Sequence, residues 1–521
     1  MESEAFMSKN VDHLLDTGLK AIPANSVLST LITDIRQWCA EDGDWLKTRQ
    51  RIEDKYGYDK FPGICHVVPN HGLMILAIIY GGHDFSEAMH IISTCGWDSD
   101  SNAGNVGCLV GIMHGLAAFD GNIDWRGPPA DRALISGADG GYSINNAARL
   151  AFDIANMGRK LASEEPLLPP KDGAHFHFSL PGSVQGFQVN GNNDLKRLDI
   201  KIEQGIDHTG TSALAIHISG DMSESSGTVE VTTPTSSPPD VQSMPLYDLV
   251  ASPLVYPGQT IKAILRADPA NSTTVSARIM LRVFSFADQL QSFYSSSTLM
   301  SPNNAEVLEW VIPSDLGGQP IESVGISVSS NHHEFNGTLW LDSLGWHGSP
   351  ELTLRENGSE GSLEFYKRAF VTGADSFHLW GKFWVAQDEG EGIVTYGTRE
   401  WTDYRVVFRD FVTNIGEPVG VAVRVQGLNR YYALEFASGG NLVLVKALDK
   451  QRIKFAATGF DWKIDTKYTI IVTIEHNKLY AQVGNVTLST TDWQYQTGGI
   501  GLVVTNGSLS VNSIEIGPIM Y

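Results

Sequence analysis

Apolar residues recur at spacings of three and four through the first third of the chain, and that period predicts α-helices. One is expected across "SVLSTLITDIRQWCA", with Asn25 as its cap, and another across "DWLKTRQRIEDKYG". The same period continues through "PNHGLMILAIIYGG", "DFSEAMHIISTCG", "AGNVGCLVGIMHGLAAF" and "INNAARLAFDIANMGRKLA". The connections are short, as in a compact all-α bundle. The pattern breaks at Ser163–Gly173, "SEEPLLPPKDG", where three prolines and a run of charges predict a domain linker.

Beyond it the period becomes two. "ALAIHISG", "GTVEVTT", "QTIKAILRA", "SARIMLRVFS", "EVLEWVIP" and "GTLWLDSLGW" are expected strands, with "TTPTSSPPD" a loop between them. From Glu351 onward ten to twelve further strands are expected, among them "DYRVVFRDF", "PVGVAVRV" and "YYALEFA". The expected fold class is therefore multidomain α plus all-β. An all-α domain spans 1–165, a β-sandwich 166–350, and a second sandwich or jelly roll 351–521.

Composition narrows the partners. The net charge of −22 argues against nucleic acid or an anionic membrane as the main partner, since both attract basic surfaces. The longest apolar run, "GLMILAIIYGG", is too short to span a bilayer, so no membrane span is expected. The opening "MESEAFMSKNVDHLL" lacks the basic-then-apolar layout of a signal peptide. Cys39, Cys65, Cys95 and Cys108 match no zinc spacing and are expected to be buried thiols of the helical core.

The densest chemistry lies in "TCGWDSDSNAGNVG", Thr94–Gly107. An N-cap needs one small polar residue, yet Asp98, Ser99, Asp100, Ser101 and Asn102 stand in a row. Two neighbouring carboxylates repel unless a positive charge sits between them, and carboxylate, hydroxyl and amide oxygens suit a hard divalent cation. An EF-hand is excluded: with Asp98 as loop position 1, position 6 is Ala103 and position 12 is Leu109, not the required Gly and Glu. Gly107, Gly111 and Gly115 form a stripe that lets another helix approach. Ala103 and Gly104 leave room for a phosphate at the helix mouth.

"CGWDSDSNAGNVGCLVGIMHG" resembles the carboxy-terminal metal motif of the ADP-ribosylglycohydrolase family, in which Gly-Gly-Asp-Thr-Asp-Thr opens a helix of an all-α domain. The resemblance covers Met1 to about Ala162 and the second half of the family domain. It implies Asp98 and Asp100 as carboxylate ligands of Mg2+ or Mn2+ and as the catalytic pair, with Ser101 as the hydroxyl ligand. Trp97 stands where the second glycine is usual, and Ser101 where threonine is. Asn70, Trp97, Asn102 and Asn105 are the implied ligand-binding residues, and His71 beside Asn70 is a further candidate; helix capping for Asn70 and an exposed position for His71 are the alternatives. The loop "GADGGYSI" is either another edge of the pocket or a turn before the last helix. The family's first half contributes a further acidic cluster, and this chain contains no Asp-Asp. The chain thus reads as a truncated gene product or a remnant domain. A complete site would hydrolyse an N- or O-glycosidic bond at ribose C1, in ADP-ribose or a related sugar.

The middle β block resembles jelly-roll carbohydrate-binding modules of secreted glycoside hydrolases. The last resembles concanavalin-like and laminin-G-like sandwiches, which implies a glycan partner. Trp401, Tyr404, Arg424, Tyr431 and Tyr432 are its candidate sugar-binding residues, with core packing as the alternative. Sequons at Asn271, Asn336, Asn357, Asn485 and Asn506 all fall in the β part, compatible with an extracellular glycoprotein. Two functions are open at this point: a metal-dependent hydrolase with glycan-binding accessory modules, or a non-catalytic carbohydrate-binding protein carrying a degenerate hydrolase domain.

Overall fold

The computed structural model describes residues 1–190, 198–222, 228–244, 249–316, 318–330, 334–356 and 363–519. The chain divides into two compact units, Met1–Pro129 and Ala130–Tyr521. No helix among the described residues is long and apolar enough to cross a membrane.

The first unit is helical: α1 Glu2–Ala5, α2 Val11–Leu19, α3 Val27–Asp42, α4 Trp45–Tyr56, α5 Val67–Gly81, α6 Phe85–Thr94 and α7 Ser99–His114. Its centre is α5. Leu73, Ile75, Leu76, Ala77 and Ile78 run round all its sides, and all are buried. A helix apolar on every face must be surrounded, and α3, α4, α6 and α7 pack against it. The caps are local: Ser26 accepts the Ser29 N–H, so Ser26 takes the capping place expected of Asn25. Asp84 caps α6 in the same way through the Glu87 N–H. A Cβ at Gly107 would lie 3.2 Å from Met89 Sδ, so part of the glycine stripe does admit α6, whereas Gly104 is open and Gly115, at φ +64°, ends the helix.

Of the four cysteines only Cys39 and Cys95 are buried; Cys65 and Cys108 are exposed, contrary to expectation. Cys65 sits in the turn before α5, and Cys108 falls on the outer side of α7, away from the core positions Val106, Leu109 and Val110.

The second unit opens with a two-stranded hairpin, Arg132–Leu134 with Ile144–Asn146, and with helix α8, Ala147–Leu161. The loop between the hairpin strands packs within this unit, where Gly140 O accepts the Ser252 N–H at 3.1 Å. The proline-rich segment after α8 is pinned. Lys171 Nζ reaches Asp342 O at 2.7 Å and Asp342 Oδ1 at 3.1 Å, and Leu167 N–H donates to Asn156.

Two antiparallel sheets then face each other. One runs Thr298–Met300, Val275–Phe284, Ile321–Ser329, Val229–Pro234, Gln188–Val189; the other runs Ala305–Val311, Thr260–Ala267, Glu334–His347, Ser212–Asp221, Leu198–Ile206. Alternate residues such as Ile216, Ile279, Ile326 and Leu341 fill the space between them. The strand Val229–Pro234 takes in Thr232–Pro234, so the expected loop is shorter than its composition suggested.

The last block is one larger antiparallel sheet that folds over its own core of Phe408, Phe411, Phe436, Leu442, Ile470 and Leu509. Aromatic packing links the two β blocks: the Phe284 and Phe365 rings stack 4.0 Å apart. The α-then-β-sandwich fold class read from the sequence is what the structure has.

Candidate functional site

The site is assembled where the starts of α5 and α7 meet. Cys65, at φ +58°, turns the chain into α5, and His66 caps it by accepting the Val68 N–H on Nδ1 at 3.2 Å. One turn in, Asn70 is buried and fully used. Its Nδ2 donates to Tyr58 Oη at 2.9 Å and to His66 O at 3.1 Å. Its Oδ1 accepts from Asn102 Nδ2 at 3.1 Å and from the Asp98 N–H at 3.4 Å. Asn70 is therefore a hub that ties the mouth of α7 to α5, and Asn102, 2% exposed, is its partner. Neither carboxamide is free to face a ligand with both ends. Asn105, exposed, turns back to Ser101 O at 2.9 Å.

Trp97 is half-buried and left-handed, at φ +59°, directly after Gly96 at φ +82°. That conformation costs a non-glycine residue about 1 kcal/mol, which explains why glycine is usual there. Packing offsets the strain: the indole stacks on Tyr58 at 5.0 Å between centroids, and the Arg49 guanidinium lies 4.6 Å from its centroid. Arg49 is fixed by Cys95 O at 3.0 Å and by Glu53. Sequence reasoning did not single out Tyr58, Arg49 or Cys65. A lone arginine on a helix and a lone tyrosine in a turn carry no motif.

Asp98 occupies the cap position of α7 but makes no side-chain cap hydrogen bond. Its carboxylate neighbours that of Asp100 closely enough for the two to influence each other's charge. The Asp100 carboxyl is held below the usual carboxylate range, first by the Ser101 backbone N–H and then by the neighbouring Asp98. Partial desolvation, followed by the neighbouring charges of Asp98 and Asp100, pushes the Cys65 thiol up. His71 lies behind, half-buried, with desolvation holding its imidazole toward the neutral form.

Among the described residues no lysine or arginine pairs with Asp98 or Asp100. No cluster of three or more His, Cys, Asp or Glu side chains is arranged to hold a metal there either. The donor set still fits a hard cation in kind. Two carboxylates and the exposed Ser101 hydroxyl are oxygen donors on one turn, and water or phosphate oxygens would complete the six or more that such an ion takes.

The five residues expected to grip sugar are placed differently. Trp401, Tyr404, Arg424, Tyr431 and Tyr432 are all buried. Tyr404 Oη donates to Gly499 O at 2.9 Å and accepts the Arg424 N–H at 3.0 Å. Trp401 packs edge-on to Tyr256 and Tyr404. No ring among them offers a face to a ligand, because alternation in a strand marks which residues share a face but not which face is the core. The exposed aromatic group is elsewhere, at the turn between Ser376–Leu379 and Phe383–Tyr396. Trp380, 63% exposed, stacks on His378 at 4.2 Å and on Trp384 at 5.3 Å.

Of the sequons, Asn336, Asn485 and Asn506 are exposed, and Asn357 lies outside the described residues. Asn271 is buried, with Oδ1 and Nδ2 both bonded to the Thr338 backbone, so it is closed to modification in the folded chain.

Residues 1–151 match the family model described as ADP-ribosylglycohydrolase. The chain thus carries an ADP-ribosylglycohydrolase domain followed by β-sandwich modules. Among solved structures, the carbohydrate-binding module CBM66 from Bacillus subtilis is 12% identical, with 28% of this chain and 94% of that chain covered at a TM-score of 0.26. The VIP36 exoplasmic/lumenal domain, in its Ca2+/Man3GlcNAc-bound form, is 12% identical over 29% and 85%, at 0.24. The CBM22-1–CBM22-2 tandem of Paenibacillus barcinonensis Xyn10C is 9% identical over 66% and 97%, at 0.23. No curated protein matches the chain.

Proposed function

We propose that the helical unit is the cation-binding half of a glycohydrolase site for ADP-ribose or a related sugar nucleotide, with sugar-binding β modules attached. The observation that carries this reading is the Asp98 carboxylate at the mouth of α7, making no cap hydrogen bond and standing beside Asp100, with no lysine or arginine paired to either among the described residues. Two neighbouring carboxylates repel, and a proton or a cation between them relieves that repulsion. Asp98, Asp100 and Ser101 are the residues that would hold Mg2+ or Mn2+. When bound, such an ion polarises water and orients ribose hydroxyls and phosphate oxygens. Asn70 and Asn102 position the α7 mouth, and Trp97 walls it.

Calorimetric titration with Mg2+ and Mn2+ tests the reading on the wild type and on the Asp98→Ala/Asp100→Ala variant, each with ADP-ribose binding measured alongside. The expected result is metal binding and metal-dependent ADP-ribose binding in the wild type, both lost in the variant. Identical titrations of the two proteins would remove the hydrolase reading.

The second reading, a carbohydrate-binding protein with a silent helical domain, is favoured by one observation, the exposed His378–Trp380–Trp384 stack. Aromatic faces of this kind receive the apolar face of a sugar ring. Trp380→Ala abolishing glycan-array binding, with no metal effect anywhere, would favour it.

A further inference from the structure

A cavity of about 230 Å³ lies wholly within the second unit, between α8, the proline-rich segment and the strand that carries Trp346. Its apolar wall is Phe152, Phe176, Leu254 and Trp346. Its polar wall is Arg149, Asp153, Asn156 and His177.

Two of these polar groups are underused. His177 is 5% exposed, and its Nδ1 accepts the Ser179 N–H at 3.1 Å. That bond fixes the neutral tautomer with the proton on Nε2. Burial, and after it the charge of Lys171, pushes its pKa down to about 4, in keeping with a neutral ring. Among the described residues the Nε2–H has no acceptor. That N–H is not sealed off but opens onto the cavity, where a ligand hydroxyl can take the place of water as its acceptor. Arg149 is the second. Its guanidinium lies 4.6 Å from the Tyr142 ring centroid and forms no ion pair among the described residues.

The charges around the cavity choose the ligand. Asp153 carries a carboxylate that accepts the Tyr142 hydroxyl. Behind the wall Glu400 is ionised, held low by His175 at 3.0 Å, by the charge of Arg149 and by the Trp346 Nε1–H at 3.1 Å, against its burial. Arg399 is spent on Asp139. Lys171 is likewise spent on Asp342, so the unpaired guanidinium of Arg149 shares the cavity with the Asp153 carboxylate and with Glu400 behind the wall, and a further anion is unwelcome. A neutral polyol suits the set, because each hydroxyl can both donate to Asp153 and accept from Arg149 or His177. The volume is below the roughly 300–1,000 Å³ of drug-sized pockets, enough for one sugar ring and not for an oligosaccharide.

We propose that this cavity binds a single neutral pyranose ring. Its hydroxyls meet Arg149, Asp153 and the His177 Nε2–H, and its apolar face lies on Phe152, because His175 already stacks on the Trp346 indole at 3.7 Å. The proposal rests on the reading that the β modules handle sugars, and it names where one ring is held.

The test uses the full chain, titrated by calorimetry and ligand-observed NMR with glucose, galactose, mannose, N-acetylglucosamine and glucuronate. Arg149 is also labelled with phenylglyoxal and the labelling followed by mass spectrometry. The expected result is binding of a neutral sugar that slows labelling of Arg149 severalfold. His177→Asn keeps an acceptor for Ser179 and removes the ε donor. It and Arg149→Leu should each weaken binding about tenfold, the loss of one good hydrogen bond. The labelling arm needs no variant, so a misfolded substitution does not blunt it. Sugar binding that leaves Arg149 labelling and both variants unchanged overturns this site while sparing the sugar-binding reading. No sugar binding at all overturns both. Glucuronate binding more tightly than every neutral sugar overturns the choice of ligand.

Discussion

Arg424 decides between two uses of the last sandwich, and its energetics can be worked from its contacts. The side chain is 0% exposed and the residue is left-handed at φ +51°. Only Nη2 is bonded, to Asp403 Oδ1 and to His476 O, both at 3.1 Å; Nε and Nη1 are buried without partners. Burial dominates and lowers its pKa, although Tyr404 and Asp403 act the other way. Arg424→Met forfeits two charge-assisted bonds, about 1.5 kcal/mol each, but releases two unpaired N–H groups that cost about 1–3 kcal/mol each. The sum runs from about 1 kcal/mol destabilising to about 3 kcal/mol stabilising, as for other buried ions replaced by apolar residues.

Asp403→Ala does the opposite, leaving the guanidinium buried with a single carbonyl. Breaking such a pair costs about 3–5 kcal/mol when both partners are buried. Asp403 is 34% exposed, so about 2 kcal/mol is the discounted figure. A further 1 kcal/mol or so goes with the lost acceptor for the His476 N–H, at 2.8 Å. The assay is urea unfolding at neutral pH, followed by hydrogen exchange at the amides of Arg430–Ala437. Asp403→Ala should be the weaker protein by at least about 2 kcal/mol, and Arg424→Met should keep any sugar binding. An Arg424→Met variant as unstable as Asp403→Ala, or one of wild-type stability that loses sugar binding, would refute the reasoning.

Asn70→Ala should cost about 3 kcal/mol in the helical unit, since it strands the Asn102 amide and the Asp98 N–H in a buried place; unchanged hydrogen-exchange protection at Asp98 and Asn102 would show that Asn70 is no hub. The pH dependence turns on two buried groups of opposite sign. Burial pushes Glu435 up to about 7, despite Arg452 at 2.9 Å, so its stabilising share is present below its unfolded pKa near 4.5 and is lost as pH rises toward 7. The depressed His177 contributes above its unfolded value of 6.5 and loses that share as pH falls toward 4. The two oppose each other between pH 4.5 and 6.5, so Glu435→Gln should make the urea midpoint climb more steeply with pH there than in the wild type. A flatter profile would contradict the assignment.

The helices and most strands could be read from apolar spacing because each buries one stripe or one face. The centre of the first unit was legible too, since a run such as "GLMILAIIYGG" tolerates no wet side. The Asp98–Ser101 stretch stood out because repeated oxygen donors exceed what a cap needs. Three things were hidden. Whether Tyr404 or Tyr431 points inward depends on how a sheet curls, which alternation does not encode. Cys65 lies beside Asp98 through the meeting of two helix starts, far apart in sequence. The cavity around His177 needs the proline-rich segment to be pinned by Lys171 to Asp342, a contact between residues that no local pattern connects.

The incompleteness of the acidic corner has its own consequence. Asp98, Asp100 and Ser101 supply about three oxygens, half of what a hard cation takes. On the proposed reading the remaining places would fall to water or to the ligand's own oxygens, and a diphosphate would be the better donor because it carries charge. Cation and sugar nucleotide would then each be part of the other's binding site. Linkage requires that whatever factor the ion adds to ligand affinity, the ligand adds to ion affinity. Asn70 matters in this scheme without touching either, because it holds the Asp98 backbone while the carboxylate stays uncommitted to the helix. A cap that bonded its own N–H groups would satisfy the helix and forfeit the ion. The free carboxylate of Asp98 at the mouth of α7 is what distinguishes this helix start from those of α3 and α6, where Ser26 and Asp84 turn inward.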